Sequence, residues 1–147
     1  VMKHLSVPAD AELGRLPDSD EFGDIERNPQ ARTLPGVLVY RFSGPLFFAN
    51  ASRFAQRVEA RVLNAAPPVQ HVVLDASGII DIDLTAVESL QGLARTLAER
   101  GIDLRIGGAI SGLRDLLERG GVMAALGGKF YRTVDEAVRA GWPQPGH

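Results

Sequence analysis

The sequence predicts an α/β sandwich: a mixed, mostly parallel β-sheet carrying about four helices. Three observations lead there. Apolar runs of strand length alternate with amphipathic runs of helix length from Val37 onward. The connections between them are only a few residues long, so strand–helix–strand units call for crossovers and parallel pairing. Two strand-like runs at the start of this series flank a turn signal, which adds one antiparallel hairpin.

Residues 1–35 are polar, proline-bearing and acid-rich, and read as an extended arm or linker with a short strand near Leu13–Leu16. The apolar anchors there are few: Leu13, Leu16, Phe22 and Ile25. The acids Asp18, Asp20, Glu21 and Asp24 read as a solvated, self-repelling surface rather than a cation site. VLVYRF (Val37–Phe42) is β-branched and aromatic, SGP is a turn, and LFF (Leu46–Phe48) returns as the hairpin's second strand. Phe42, Phe47 and Phe48 are expected in the core. Asn50 is placed to cap a helix with Ala51, Phe54, Ala55, Val58, Val62 and Ala65 at helical spacing, stopped by Pro67–Pro68.

HVVLD (His71–Asp75) is a short continuous apolar run, typical of a strand buried on both faces. The helix after it carries Val87, Leu90, Leu93, Ala94 and Leu97 on one stripe and ends at Gly101, a suitable C′ residue. IDLRI (Ile102–Ile106) alternates with period two, as a strand does. Ser111 is placed to cap a short helix with Leu113, Leu116 and Leu117 inward. FYRT (Phe130–Thr133) reads as an edge strand, and Thr133 opens a last helix with Val134, Ala137 and Val138 on its apolar side, ended by Gly141 and Pro143. The resulting plan is an arm over 1–35, an α/β domain over 36–141 and a tail over 142–147.

Composition removes several function classes. At 147 residues the chain holds one domain plus a tail, and 45% hydrophobic with 23% charged residues is ordinary for a soluble globular protein. A net charge of −2 with interspersed signs gives no basic face for nucleic acid. With no cysteine, disulfides, thiolate catalysis and cysteine-ligated metals are excluded. No apolar run approaches the roughly 20 residues that span a bilayer. The start also lacks the apolar core of a signal peptide, so the chain itself is expected to be soluble.

Catalytic and metal-binding patterns are missing too. His4, His71 and His147 show neither the spacing of metal ligands nor an orienting partner for general-base work, and His71 reads as a strand-end residue. GGAISG (Gly107–Gly112) lies between a strand and a helix, where anions bind, yet it matches neither phosphate-loop pattern. The conspicuous stretch is DASGIIDIDLTAVESL (Asp75–Leu90). T-A-V-E (Thr85–Glu88) fits a capping box with Thr85 as N-cap, and T-V-D-E (Thr133–Glu136) repeats the same grammar. Capping leaves Asp75, Asp81 and Asp83 unexplained. They are expected at the C-terminal edge of a parallel sheet, where α/β proteins place binding loops, so a binding or regulatory loop and plain helix punctuation both fit.

The same stretch carries a resemblance. Asp83-Leu84-Thr85-Ala86 is similar to the strand–D-S-S-G–helix element of STAS domains, the SpoIIAA-like sandwich of anti-sigma-factor antagonists and of the cytosolic C-terminal part of SulP-type anion transporters. IDLTA (Ile82–Ala86), LGRLPDSDEFGDIERNPQA (Leu13–Ala31), LVYRFSGPLFFANASRF (Leu38–Phe54) and RDLLERGG (Arg114–Gly121) resemble the transporter branch. Against the antagonists, leucine replaces the first serine, threonine holds the phosphoacceptor position and alanine replaces the glycine.

The resemblance implies a non-catalytic domain without cofactor or metal, at the cytoplasmic face of the inner membrane. Its partners would be the membrane domain of the same sulfate-type transporter, which precedes residues 1–35, and a second copy in the full-length homodimer. It further implies a regulatory, phosphoacceptor-equivalent role for Thr85, and a nucleotide or cytosolic protein meeting the loop of Asp75, Asp81, Asp83 and Leu84. The rival expectation is a free-standing antagonist-like phospho-switch, and a third is a nucleotide-binding enzyme. Phosphate on Thr85 would crowd Asp81 and Asp83 with like charge, which argues against the switch.

Overall fold

The computed structural model describes residues 10–121, 124 and 129–140. Gly141, Pro143, the tail, His4 and His147 lie outside the described residues. One six-stranded sheet organises the chain, in the order β2-β1-β3-β4-β5-β6. Its strands are β1 (Asp10–Arg15), β2 (Phe22–Asp24), β3 (Val37–Leu46), β4 (His71–Ile82), β5 (Asp103–Gly107) and β6 (Phe130–Tyr131). β3 to β6 are mutually parallel, whereas β1 runs antiparallel to both β2 and β3. The mixed, mostly parallel sheet expected from the sequence is therefore present.

Its antiparallel part is not where the turn signal put it. Ser43, Gly44 and Pro45 do not reverse the chain: β3 runs straight through them and stays paired with β4 as far as Leu46↔Ile82. Register shifts between Arg41 and Ser43 and between Gly44 and Pro45 absorb the irregularity, with Gly44 at φ +105°. The extra residue at each shift lies on β4, which bulges while β3 stays extended where a turn was expected. The antiparallel strands come instead from the segment read as an arm, which folds back as β1 and β2. Within that segment Asp24 is buried, and its carboxylate accepts the Glu26 amide at 2.8 Å, so it is not part of a solvated acidic face.

Four helices complete the described fold: α1 (Phe48–Asn64), α2 (Leu84–Glu99), α3 (Ser111–Arg119) and α4 (Val134–Arg139). Alternation along the strands divides the core in two. Leu38, Tyr40, Phe42, Val72, Leu74, Leu104 and Ile106 meet α1, α2 and α3 on one face. Val37, Val39 and Val73, with Ala11 and Leu13 of β1, meet Ala137 and Val138 of α4 on the other. The helical stripes are as the spacing predicts. Ala51, Phe54, Val58 and Val62 are buried on α1, and Val87, Leu90, Leu93, Ala94 and Leu97 on α2. Phe54 packs against Tyr40 and Phe42 at ring separations of 5.6 and 5.9 Å.

Two caps differ from expectation. Phe47, not Asn50, is the N-cap of α1; Asn50 sits inside the first turn and its side-chain oxygen accepts the Phe47 amide at 2.8 Å. Ile110 precedes α3 and offers no side-chain acceptor, so Ser111 is the first helical residue and not its cap.

Candidate functional site

Because β3, β4 and β5 are parallel, their C-terminal ends share one edge, and α1, α2 and α3 all start there. β4 is the long strand. It pairs with β5 only to Asp75↔Gly107, then continues beside β3 alone to Ile82. The stretch read as a loop is thus mostly strand, which spreads its carboxylates out. Asp75 faces Arg41 and Asp81 faces Pro45, four residues further along β3, so about 13 Å separates them along the sheet.

Each aspartate has its own surroundings. Asp75 is 8% exposed, and its Oδ1 accepts the Ser77 amide at 3.0 Å and the Ser77 hydroxyl at 2.7 Å. It lines a cleft of about 590 Å³ on the α4 side of the sheet, with Phe22, Ser77, Gly108, Thr133 and Val134. Asp81 is exposed and accepts the Ile82 amide at 2.9 Å. Asp83 is the true N-cap of α2: its Oδ1 accepts the Ala86 amide and the Thr85 hydroxyl, both at 2.8 Å. Those bonds, the Ala86 amide foremost, hold its carboxyl below the usual carboxylate range.

Thr85 is therefore not the cap. It is the second residue of α2, and its hydroxyl donates to Asp83 instead of accepting from Glu88. At the other copy Thr133 is the N-cap, its hydroxyl accepting the Glu136 amide at 3.0 Å, while the Glu136 carboxylate accepts from Arg132. D-L-T-A and T-A-V-E both satisfy the cap rule, and Asp83 wins because it keeps the extended backbone (φ −95°, ψ 168°) that a cap needs.

The edge also carries an apolar surface that sequence spacing misplaced. Phe42 is buried, but Phe47 is exposed and Phe48 is 61% exposed, so two of the three expected core aromatics face outward. Ile80 on β4, Ile110 before α3 and Leu84, 65% exposed at the first position of α2, are apolar and exposed at the same edge. Such clusters mark contact surfaces. Spacing gave no warning at Phe48, which stands three residues before Ala51 and so continues the Ala51–Phe54–Val58–Val62 stripe in sequence.

Packing explains the first glycine of GGAISG, Gly107. A Cβ on Gly107 would sit 2.9 Å from the Thr133 carbonyl oxygen and from Val134 Cα, so β5 and the start of α4 can approach only through glycine. Among the described residues no three His, Asp or Glu side chains are grouped to hold a metal ion, and no helix is long and apolar enough to cross a membrane.

His71 stands at the opposite edge of the sheet, with its Nδ1 hydrogen-bonded to Asp103. Asp103 also accepts from Arg105 Nε and Lys129 Nζ, each at 2.9 Å. Arg105, buried, donates to the carbonyls of Ala137 and Ala140 at 2.7 Å each, which ties α4 to β5. Burial pushes the Asp103 carboxyl up, but the donors from His71, Lys129 and Arg105 outweigh it and hold it well below the usual range. The period-two reading of IDLRI placed Asp103 and Arg105 on one face, which was the available signal for this cluster.

The D-L-T-A turn thus joins β4, the second of the parallel strands, to α2 in a mixed six-stranded sheet. The STAS domain family model matches residues 28–137, and the chain belongs to that family. Among curated relatives, a probable sulfate transporter of Mycobacterium tuberculosis is 33% identical over 141 residues, covering 95% of this chain and 25% of its own length. The chain thus spans about a quarter of that relative. Among solved structures, the murine solute carrier 26 family member A9 anion transporter in the inward-facing state matches 88% of this chain and 21% of its own, with TM-score 0.76 and 22% identity. The STAS domain of a SulP transporter from Vibrio cholerae matches 80% of this chain and 89% of its own, with TM-score 0.62 and 22% identity.

Proposed function

We propose that this chain is the cytosolic STAS domain of a SulP-type, sulfate-class anion transporter, a non-catalytic part that regulates transport and supports assembly of the full-length homodimer. The observation that carries this reading is the 33% identity along 95% of the chain to a probable sulfate transporter of which it makes up only 25%. In this reading residues 36–141 form the domain at the cytoplasmic face of the inner membrane. Residues 1–35 lead to it from the membrane-spanning part and add β1 and β2 to its sheet, and 142–147 are a tail. Asp81, Asp83, Leu84 and the Thr85 position, beside Phe47, Phe48 and Ile80, form the surface that meets a partner protein or nucleotide. Asp75 joins that surface only through β4, since it lines the cleft on the other face. Leu84 and Ala86 replace the first serine and the glycine that flank the phosphoacceptor position in D-S-S-G, which favours contact over phosphorylation at Thr85.

Two measurements test it. The coding sequence upstream of Val1 is expected to encode a run of apolar helices; a start codon with no such run overturns the reading. In cells expressing the full-length protein, deleting the domain is expected to reduce labelled-sulfate uptake and the dimer fraction on crosslinking, and Leu84→Asp to reproduce part of that loss.

A further inference from the structure

Beyond its backbone ladder to β3, β1 is fastened to the helices on both faces by charge. Asp10 accepts from Arg57 Nη1 at 2.8 Å and from the Tyr40 hydroxyl at 3.1 Å, and Glu12 accepts from Arg61 Nη1 at 2.7 Å. Arg57 and Arg61 are one turn apart on α1, so that helix holds the strand with two guanidiniums. From the other face α4 does the same. Asp135 receives Arg15 and Arg139 at 2.8 Å each, and Arg139 reaches Asp20, in the β1–β2 connection, at 3.3 Å. Between these two grips Ala11, Leu13 and Gly14 of β1 are buried. β2, three residues long, is the outermost strand and pairs with β1.

Two further observations set this segment apart. Arg41, the register partner of Ala11, keeps its Nε buried without an acceptor, a desolvation penalty that water entering beside β1 would relieve. The family match begins at residue 28, after β2, whereas the alignment to the M. tuberculosis transporter spans 95% of the chain and so takes in both strands.

We propose that Asp10–Asp24 is a detachable strap, which lifts from β3 as one unit while β3–β6 and α1–α3 stay folded. Its ladder to β3 runs only from Asp10↔Phe42 to Leu13↔Val39, followed by the backbone pair of Arg15 with Arg32. Lifting it breaks the arginine–carboxylate pairs to α1 and to α4 together. It also uncovers the β3 edge and widens the groove of about 760 Å³ that Glu12 shares with Leu34, Gly36, Arg57, Arg61 and Ala65. A pull on the chain before Asp10 is thereby delivered to both layers of helices at once. Local opening of this kind draws on segments with few buried apolar side chains, and β1 contributes only two, Ala11 and Leu13.

Hydrogen–deuterium exchange on the 147-residue chain tests the strap without reference to transport, so its outcome is separate from that of the functional reading. The amides of Ala11–Arg15 are expected to exchange roughly tenfold faster than those of Val72–Leu74. Raising NaCl from about 50 mM to about 500 mM should speed the strap a further few-fold and leave Val72–Leu74 unchanged. The Arg57→Gln, Arg61→Gln double variant should do the same at low salt. If β1 exchanges at the rate of β4, or if salt and the double variant accelerate both strands equally, the strap is an integral part of the fold and the proposal fails. Should the double variant not fold, the salt series on the unaltered chain decides alone.

Discussion

The Thr85 hydroxyl donates to Asp83 at 2.8 Å, on the same carboxylate oxygen that accepts the Ala86 amide. One aspartate therefore both caps α2 and fixes the rotamer of the threonine that follows it. The order of the two residues matters: the anion sits at the helix N-terminus, where the backbone amides favour it, and the hydroxyl is subordinate to it.

Thermal melts should separate the two roles. Asp83→Ala is expected to lower Tm by a few degrees, and Thr85→Ala by clearly less, since Thr85 is already inside the helix. Equal or reversed effects would return the cap to Thr85. The folded pKa of Asp83 is depressed, so its contribution is full above the ordinary carboxylate value and is lost as pH falls through the folded one.

Phe54 and Phe48 lie on the same helix and should behave oppositely. Phe54→Ala empties a site packed against Tyr40 and Phe42 and is expected to lose about 3–5 kcal/mol in urea unfolding. Phe48→Ala removes an exposed ring and should stay within about 0.5 kcal/mol of the parent. A large loss at Phe48 would mean that the ring is covered in solution.

The two ends of GGAISG offer a similar contrast. Gly107→Ala forces a Cβ to 2.9 Å from the Thr133 carbonyl oxygen and should destabilise by about 1–3 kcal/mol. At Gly112 a Cβ meets open space within α3, so Gly112→Ala should be neutral or stabilise by up to about 1 kcal/mol. Chemical denaturation of both variants checks the pair.

Asp103 sets an acid limb. Its carboxyl is held below the ordinary value in the folded chain, so the folded state binds that proton less readily than the unfolded chain does. The stabilisation is fully present above the unfolded pKa of about 4 and is lost as pH falls from there through the depressed folded value. Asp103→Asn should cost on the order of 1–2 kcal/mol at neutral pH, less than a fully buried pair because the side chain is 22% exposed. Its stability curve should also be flatter on the acid side. An acid limb unchanged by the substitution would assign that limb to other carboxylates.

What the sequence made legible follows from how local each decision was. Helical stripes such as Val87–Leu90–Leu93–Ala94–Leu97 depend only on their own spacing, and all five residues are buried. Strand limits depend on neighbours. Ser77–Ile82 looks like a loop because β5 stops at Gly107, so that half of β4 has β3 on one side only and tolerates polar residues. Ser43-Gly44-Pro45 has the composition of a turn, yet an unbroken partner strand keeps it extended. β1 went largely unread for a related reason: Asp10 and Glu12 look like solvent-facing acids until α1 supplies Arg57 and Arg61. At the candidate site, the aspartates and Thr85 were found, but which of them caps was a backbone question, and the outward turn of Phe47 and Phe48 depended on where β3 ends.

The strand order has a consequence for synthesis. Once β1 lies beside β3, each later strand joins the free edge left by the one before it: β4 on β3, β5 on β4, β6 on β5. No strand has to be wedged between two that are already paired. A chain emerging from the ribosome can therefore dock each strand–helix unit as it appears, and every intermediate exposes a single growing edge instead of a gap waiting for a distant segment.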